Sequence, residues 1–222
     1  MKKLILLGAV MLSVTGLIAA DKIFEINEQH EILLPKSKML GFSGIGFEKF
    51  AGYRFNSQDS GIVLECADSM PAALTVAFTA VLPELPQKDS VLFLRPGFHN
   101  TLFVTPQGKV GVSIWSKDKA TGKYSNNIKI LSKRAVRPGD GRFFRTALTI
   151  EPAEGGKSMV KLYLDGALEE EKTIDSELYG YSRVFHIGGA PQIKNITGFN
   201  GIIRSALVCS GALSPDEIAS LR

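Results

Sequence analysis

FHIGGAPQIKNITGFNGIIRSALVCSGALSPDEIASLR, from Phe185 to Arg222, decides the fold. It reads as a strand, a pair of glycine turns, a second strand and a sharply capped short helix. Ser214 is the expected N-cap, Pro215 the first helical residue, and Glu217 completes a capping box. Ile218 and Leu221 can then face the body of the domain. Just upstream stands KLYLDG, residues 161–166, where Asp165-Gly166 signals a hairpin. A chain that closes in this order is expected to be all-β: a two-sheet antiparallel β-sandwich with a short C-terminal helix.

The pattern extends back to Gly61. GIVLEC (61–66) is followed by ALTVAFTAVL (73–82), where Leu74, Val76, Phe78 and Ala80 alternate with Thr75, Ala77 and Thr79. Period two in β-branched and aromatic residues marks a half-buried strand. SVLFLR (90–95), NTLFVT (100–105), KVGVSIWS (109–116), YSNNIKIL (124–131) and RFFRTALTI (142–150) follow, separated by proline and glycine turns. In MVKLYLDG, Val160, Leu162 and Leu164 point one way, while Lys161 and Tyr163 point the other. ALEEEKTI returns after the hairpin. About a dozen short strands at this spacing imply antiparallel sheets rather than βαβ units.

Residues 21–60 are less legible. IFEI and EILL suggest two short strands, and LGFSGIGFEKFAGYRF sets four glycines among aromatics. These residues are expected to elaborate the sandwich, with residues 61–222 forming the main domain. Met1–Ala20 has Lys2 and Lys3, an apolar run and a small-residue end at Ala19-Ala20, the layout of a cleaved secretory signal. The expected destination is outside the cytoplasm: secreted, periplasmic or at the cell surface. No membrane span is expected after its removal.

Lys2 and Lys3 would leave with that segment, lowering the formal charge from +4 to +2. No basic run is long enough for a phosphate-backbone footprint, so nucleic acid is not an expected partner. KRAVR (133–137), the densest basic group, reads as a solvated loop before Pro138-Gly139. Cys66 and Cys209 are the only cysteines. An oxidising compartment would permit a bridge, worth roughly 4–5 kcal/mol in the chain-entropy account. Two buried free thiols acting as small hydrophobes are the alternative.

Catalytic chemistry finds little footing. Glycosidases need two carboxylates across the scissile bond, and no E-x-D-x-x-E strand occurs. Glu169-Glu170-Glu171 is the only acidic run, and it reads as a solvated strand edge. His30, His99 and His186 have no metal-pair spacing. No G-x-S-x-G elbow or phosphate loop is present. An enzyme is therefore not the expected reading, and no catalytic or metal-ligating residue is assigned. For sugar binding, aromatic faces with fixed polar groups are required. Trp115 and Tyr124, with Asn126, flank the 117–123 loop. Arg95 and His99 begin another loop and are expected to join the same rim. Tyr163 is an alternative outward platform, with cross-strand packing as its structural reading.

The chain resembles the laminin-G-like, concanavalin A-like lectin/glucanase superfamily in its bacterial jelly-roll form. Phe143-Phe144-Arg145-Thr146-Ala147 stands where members carry a strand like W-x-H-V-A, and Leu162-Tyr163-Leu164-Asp165-Gly166 matches their LYVDG. Ile187-Gly188-Gly189 matches an IGG element. Phe199 to Val208 follows the FxGxIDEVRIY strand, and Leu213 to Ile218 the LSxEEI helix. The resemblance covers roughly residues 60–210. It departs at Phe143 and Arg145, where members often have Trp and His, and at Ile203 and Arg204, where they have an acidic pair. The resemblance implies a binding module for a glycan or a surface protein, with a structural domain or divergent glycosidase as alternatives. It also implies that calcium is a possible ligand, though Asp118, Asp140, Asp165 and Asp175 form no local cluster. Finally, it places the first and last strands side by side, which favours contact between the strands of Cys66 and Cys209.

Overall fold

The computed structural model describes residues 20–57, 60–69, 71–95, 100–117, 124–175, 182–190 and 197–221. The chain forms β1 (Lys22–Ile26), β2 (Ile32–Leu33), β3 (Ser37–Ser43), β4 (Ile45–Glu48), β5 (Gly52–Asn56) and β6 (Gly61–Cys66). There follow β7 (Leu74–Val81), β8 (Ser90–Arg95), β9 (Asn100–Val104), β10 (Lys109–Lys117), β11 (Tyr124–Ala135) and β12 (Phe144–Ala153). The last elements are β13 (Lys157–Leu164), β14 (Ala167–Ile174), β15 (Val184–Ile187), β16 (Thr197–Gly198), β17 (Asn200–Ser210) and the helix α1 (Pro215–Ser220).

Two sheets result. The larger runs β14-β13-β12-β7-β17-β1-β2, with β5 also paired to β17 and β4 to β5. The smaller runs β11-β10-β9-β8-β15-β6-β3, with the short β16 beside β8. Their pairings are antiparallel except for β16 with β8. The glycine-rich 40–56 stretch, opaque as sequence, supplies β3 to the smaller sheet and β4–β5 to the larger.

Alternation explains the core. Leu74, Val76, Phe78 and Ala80 of β7 and Val160, Leu162 and Leu164 of β13 point inward from the larger sheet. Leu102, Val104, Val110, Val112 and Ile114 meet them from the smaller sheet. Each buried Val, Leu, Ile or Phe among them contributes roughly 1.5–3 kcal/mol of apolar transfer. Phe185 joins the layers, its ring 6.3 Å from Phe24 and 6.0 Å from Phe93. The IGG element is a steric requirement. Gly188 has φ +75°, and a Cβ there would fall onto the Phe55 ring of β5.

The C-terminal reading holds in detail. Ser214 accepts from the Glu217 amide, Glu217 reaches back to the Ser214 amide at 2.8 Å, and Pro215 opens the helix.

Three expectations are corrected. Cys66 and Cys209 are buried thiols with no disulfide between them. The strand of Cys66 lies in the smaller sheet and that of Cys209 in the larger. Cys66 faces the sandwich interior. Val208 takes the inward position in β17, so Cys209 faces outward, under α1. Burial pushes the Cys209 thiol up to about 11, as expected of a small hydrophobe.

Glu169 is not a solvated edge residue: it is 3% exposed. The register between β13 and β14 shifts after Leu162, which faces Glu170, to Tyr163, which faces Leu168. Glu169 is the extra residue of that bulge and leaves the alternation with Glu171. It accepts hydrogen bonds from the Lys133 amide (2.8 Å) and the Arg134 amide (2.9 Å), and pairs with the Arg134 guanidinium. This also corrects KRAVR. Lys133, Arg134 and Ala135 extend β11, and Glu169 ties that edge of the smaller sheet to β14 at the edge of the larger. Burial pushes the Glu169 carboxyl up, but the bonds from Arg134 and Lys133 outweigh it and hold it below its ordinary value.

Candidate functional site

The outer face of the larger sheet has two unlike ends. At one, Ala77, Ala147, Tyr163, Leu207 and Cys209 form a second apolar layer covered by Leu213 and Ile218. Tyr163 is 1% exposed there, so its outward position serves packing rather than a platform. Its hydroxyl, beside Thr149, makes no well-aligned hydrogen bond among the described residues, and burial pushes the phenol up.

Beyond the helix the same strands stay open. A groove of about 330 Å³ lies between α1 and the β1–β2 turn, its wall including Glu25, Glu28, Arg145 and Leu221. It adjoins a hollow of about 560 Å³ lined by Glu28, His30, Phe50, Thr79, Phe143, Arg145, Arg204 and Ser205. Glu28, Thr79, Arg145 and Ser205 form the common wall.

The backbone sets these side chains deliberately apart from regular alternation. Ile203 pairs with Ala80 and Ser205 with Thr79, so Arg204 is the extra residue of a bulge in β17. Bulges re-aim the side chain they carry. β5 packs directly against this bulge because Gly52, at φ +123°, has no side chain. A Cβ there would lie 2.8 Å from the Arg204 Cα and collide with the Ile203 carbonyl. The Arg204 guanidinium carbon sits 3.9 Å from the centre of the Phe143 ring. Its Nη2 donates to the Phe50 carbonyl at 3.5 Å. Arg145 is steadied by Nη1 donating to the Leu221 carbonyl at 2.9 Å, and its amide donates to Asp165 at 2.9 Å. Among the described residues, no carboxylate is ion-paired with Arg145 or Arg204.

Phe50 closes the hollow from the β4–β5 turn. It is 79% exposed and holds φ 68°, a left-handed conformation that costs a bulky residue about 1 kcal/mol or more. The Lys49 ammonium stands 5.1 Å from its ring centre. His30, also left-handed, donates from Nδ1 to the Arg204 carbonyl at 3.3 Å and meets Phe47 edge-on at 5.8 Å. Phe47 continues to Tyr53 at 5.5 Å, and Tyr53 to Phe42 at 6.2 Å. The hollow thus borders a band of aromatic rings, of which Phe42 and Phe47 are exposed and Tyr53 is half-buried.

The residues singled out in sequence fall elsewhere. Trp115 is half-buried on the outer face of the smaller sheet, opposite Asn127. Tyr124 pairs with Lys117 on the same β10–β11 hairpin, and Asn126 falls in the register shift between them. Arg95 lies at the same end of that sheet but is fully buried, close enough to Cys66 to interact electrostatically. Burial pushes its guanidinium down to about 10. It is therefore not brought to a surface with Trp115. His99 lies outside the described residues. His186 is buried within β15, and burial pushes its imidazole down.

His30, Phe50, Phe143, Arg145 and Arg204 were missed as a set. One signal for them was in the sequence. Phe143, Arg145 and Arg204 are positions where the chain departs from the family pattern, and the fold brings all three into one hollow.

Among the described residues no three His, Cys, Asp or Glu side chains converge. Asp140 accepts from the Arg142 amide, Asp165 from the Arg145 amide, and Asp175 pairs with Lys157. Asp118 lies outside the described residues. No described helix is long and apolar enough to cross a membrane.

A family model described as the concanavalin A-like lectin/glucanases superfamily, of laminin-G type, matches residues 56–219. No curated protein matches in sequence. Domain 4 of AbnA, an extracellular arabinanase of Geobacillus stearothermophilus solved with arabinotriose, is similar in structure. Its TM-score is 0.60 at 16% identity, covering 90% of this chain and 97% of that one. The receptor-binding domain of botulinum neurotoxin D has a TM-score of 0.64 at 13% identity, covering 90% of this chain and 51% of its own. The serotype D ligand-binding domain in complex with N-acetylneuraminic acid gives 0.64 at 13%, with 90% and 50% coverage. The chain thus spans about half the length of these toxin domains.

Proposed function

The chain belongs to the concanavalin A-like lectin/glucanase superfamily, and on that premise we propose that it is an exported, non-catalytic binding module for carbohydrate. The ligand lies in the hollow on the outer face of the larger sheet, between Phe50, Phe143, Arg145 and Arg204. One observation carries this reading: Phe50 is held exposed, in a strained backbone, over a hollow that already contains a stacked Arg204–Phe143 pair. Strain of this kind accumulates at functional sites. Aromatic faces with a few fixed polar donors are what a sugar ring needs. That domain 4 of the arabinanase and the serotype D toxin domain were solved with sugars supports the ligand class.

Glu25 and Glu28 are the carboxylates of the groove. Glu25 is ion-paired with Lys22 at 2.8 Å and Glu28 is exposed. Neither is a buried acid held ready to donate a proton to a leaving group, which is why binding is preferred to hydrolysis. A glycan array on the purified protein, with and without calcium, tests the reading. Reproducible binding that Phe50→Ala weakens about tenfold supports it. Array binding indifferent to Phe50 and Phe143 rejects this hollow. Export has its own check: N-terminal sequencing of protein recovered outside the cytoplasm should begin at Asp21.

A protein partner is the second reading. Met39, Leu40, Phe42 and Phe47 are 36%, 52%, 44% and 57% exposed along β3 and β4. Clustered apolar exposure of this kind favours association. A pull-down lost on Phe47→Asp but kept on Phe50→Ala would favour it over sugar.

A further inference from the structure

We propose that the sugar recognised in this hollow carries a carboxylate, as a uronic or sialic acid does, and that Arg145 and Arg204 bind that group together. This deepens the carbohydrate reading and rests on it.

Two guanidinium groups line one hollow with no carboxylate ion-paired to either among the described residues. Three other arginines have acidic partners. Arg54 pairs with Glu48, Arg134 with Glu169, and Arg183 approaches Glu65 at 3.9 Å. Arg137 and Arg142 likewise have no ion pair among the described residues, so what matters at the hollow is that Arg145 and Arg204 share its wall. A guanidinium is a planar fork that matches a carboxylate with two parallel hydrogen bonds.

Both groups are also held in place before any ligand arrives. Arg204 is stacked 3.9 Å from the Phe143 ring centre, with Nη2 directed to the Phe50 carbonyl. Arg145 has Nη1 committed to the Leu221 carbonyl. Neither arrangement uses up the whole fork, since a guanidinium has five N–H donors. Fixing the donors in advance lowers the ordering cost of binding. Thr79 and Ser205 also line this wall, and the exposed Phe50 supplies a ring face. A carboxylated sugar presents the matching set: an anion, hydroxyls and an apolar ring face. Glu28 is the one acidic residue of the wall, and its exposure leaves it screened by solvent.

Calorimetric titration of the purified protein with matched pairs tests this. The probes are hexagalacturonic acid with its carboxyl-reduced counterpart, and sialyllactose with lactose. At least one acidic member should bind tenfold or more tightly than its neutral partner at low salt. That preference should fall at least tenfold in R145Q and in R204Q, persist in the exposed-charge control K172Q, and be only partly restored in R204K. Circular dichroism and melting of each variant guard against a folding artefact. Equal affinity within both pairs would overturn the carboxylate inference and leave the carbohydrate reading standing. Binding of no pair member would overturn both. An acidic preference intact in R145Q and R204Q would remove it from this hollow.

Discussion

The outer face of the larger sheet is finished at one end and unfinished at the other. Under α1, Tyr163, Cys209, Leu213 and Ile218 are all at most 5% exposed and pack on one another. A few residues along the same strands, Arg145, Arg204 and Phe143 stay open to solvent with Phe50 above them. The strands are continuous, so the difference is not one of fold. It lies in what covers them: a capped helix with apolar side chains at one end, and a tight turn with a strained phenylalanine at the other. The first end spends its chemistry on stability and the second keeps donors and ring faces available.

The largest expected effect breaks the finished end. Tyr163→Ala removes a fully buried ring and should cost about 3–5 kcal/mol, lowering the melting temperature on the order of 10 °C. Tyr163→Phe removes only a hydroxyl with no well-aligned partner and should be near neutral. Thermal melts of the two variants side by side check this. Sugar affinity of whatever remains folded should change much less than stability, because the ring lines the adjoining groove but not the hollow.

Glu169→Gln comes next, at about 2 kcal/mol, since two backbone amides and a guanidinium lose their anionic acceptor. It has a pH signature. The folded carboxyl lies below its ordinary value near 4.5, so its stabilisation is complete above that value. It is lost as pH falls through the lowered folded value. Urea melts of the native protein should weaken across that acid range, and the variant should lose much of that slope while both agree more closely at still lower pH.

How legible each end was follows from the range of the interactions that make it. Ser214, Pro215 and Glu217 act within one helical turn, and Leu74 to Ala80 within one strand, so sequence displays them directly. The inward faces of β7 and β13 were readable for the same reason. Glu169 and Arg204 were not, because each owes its direction to a bulge, and a bulge exists only against a partner strand. Cys66 and Cys209 illustrate the same limit. Their burial follows from strand character, but their assignment to different sheets and opposite sides depends on strand order. The hollow gathers residues 30, 50, 143, 145 and 204, which no local pattern connects. Only the departures at Phe143, Arg145 and Arg204 hinted at it. The aromatic run at 42–55 could be read as packing material, and its exposure was invisible until β3 to β5 were placed.

Ser214→Ala sharpens the comparison more gently. It deletes the side-chain cap of α1 while leaving the apolar layer beneath, and should cost about 1 kcal/mol by thermal melt. A loss much above that would mean that the helix holds the finished end together. A loss near zero would mean that Leu213 and Ile218 hold the helix.

The smallest effect on stability belongs to Phe50→Ala, and it is the sharpest discriminator of the two ends. The ring is 79% exposed, so its removal forfeits little burial, and surface changes usually fall within about 0.5 kcal/mol. Alanine at φ 68° retains some backbone strain, although the bulk that makes it severe is gone. Stability should therefore hardly move. Affinity for a bound sugar should nevertheless drop on the order of tenfold, the loss of one ring-face contact worth about 1.4 kcal/mol. A variant that melts like the native protein and binds sugar about tenfold more weakly would show that the open end is kept for binding. A variant that melts several degrees lower with affinity unchanged would make Phe50 a packing residue, and the two ends of the sheet would then differ only in how they are covered.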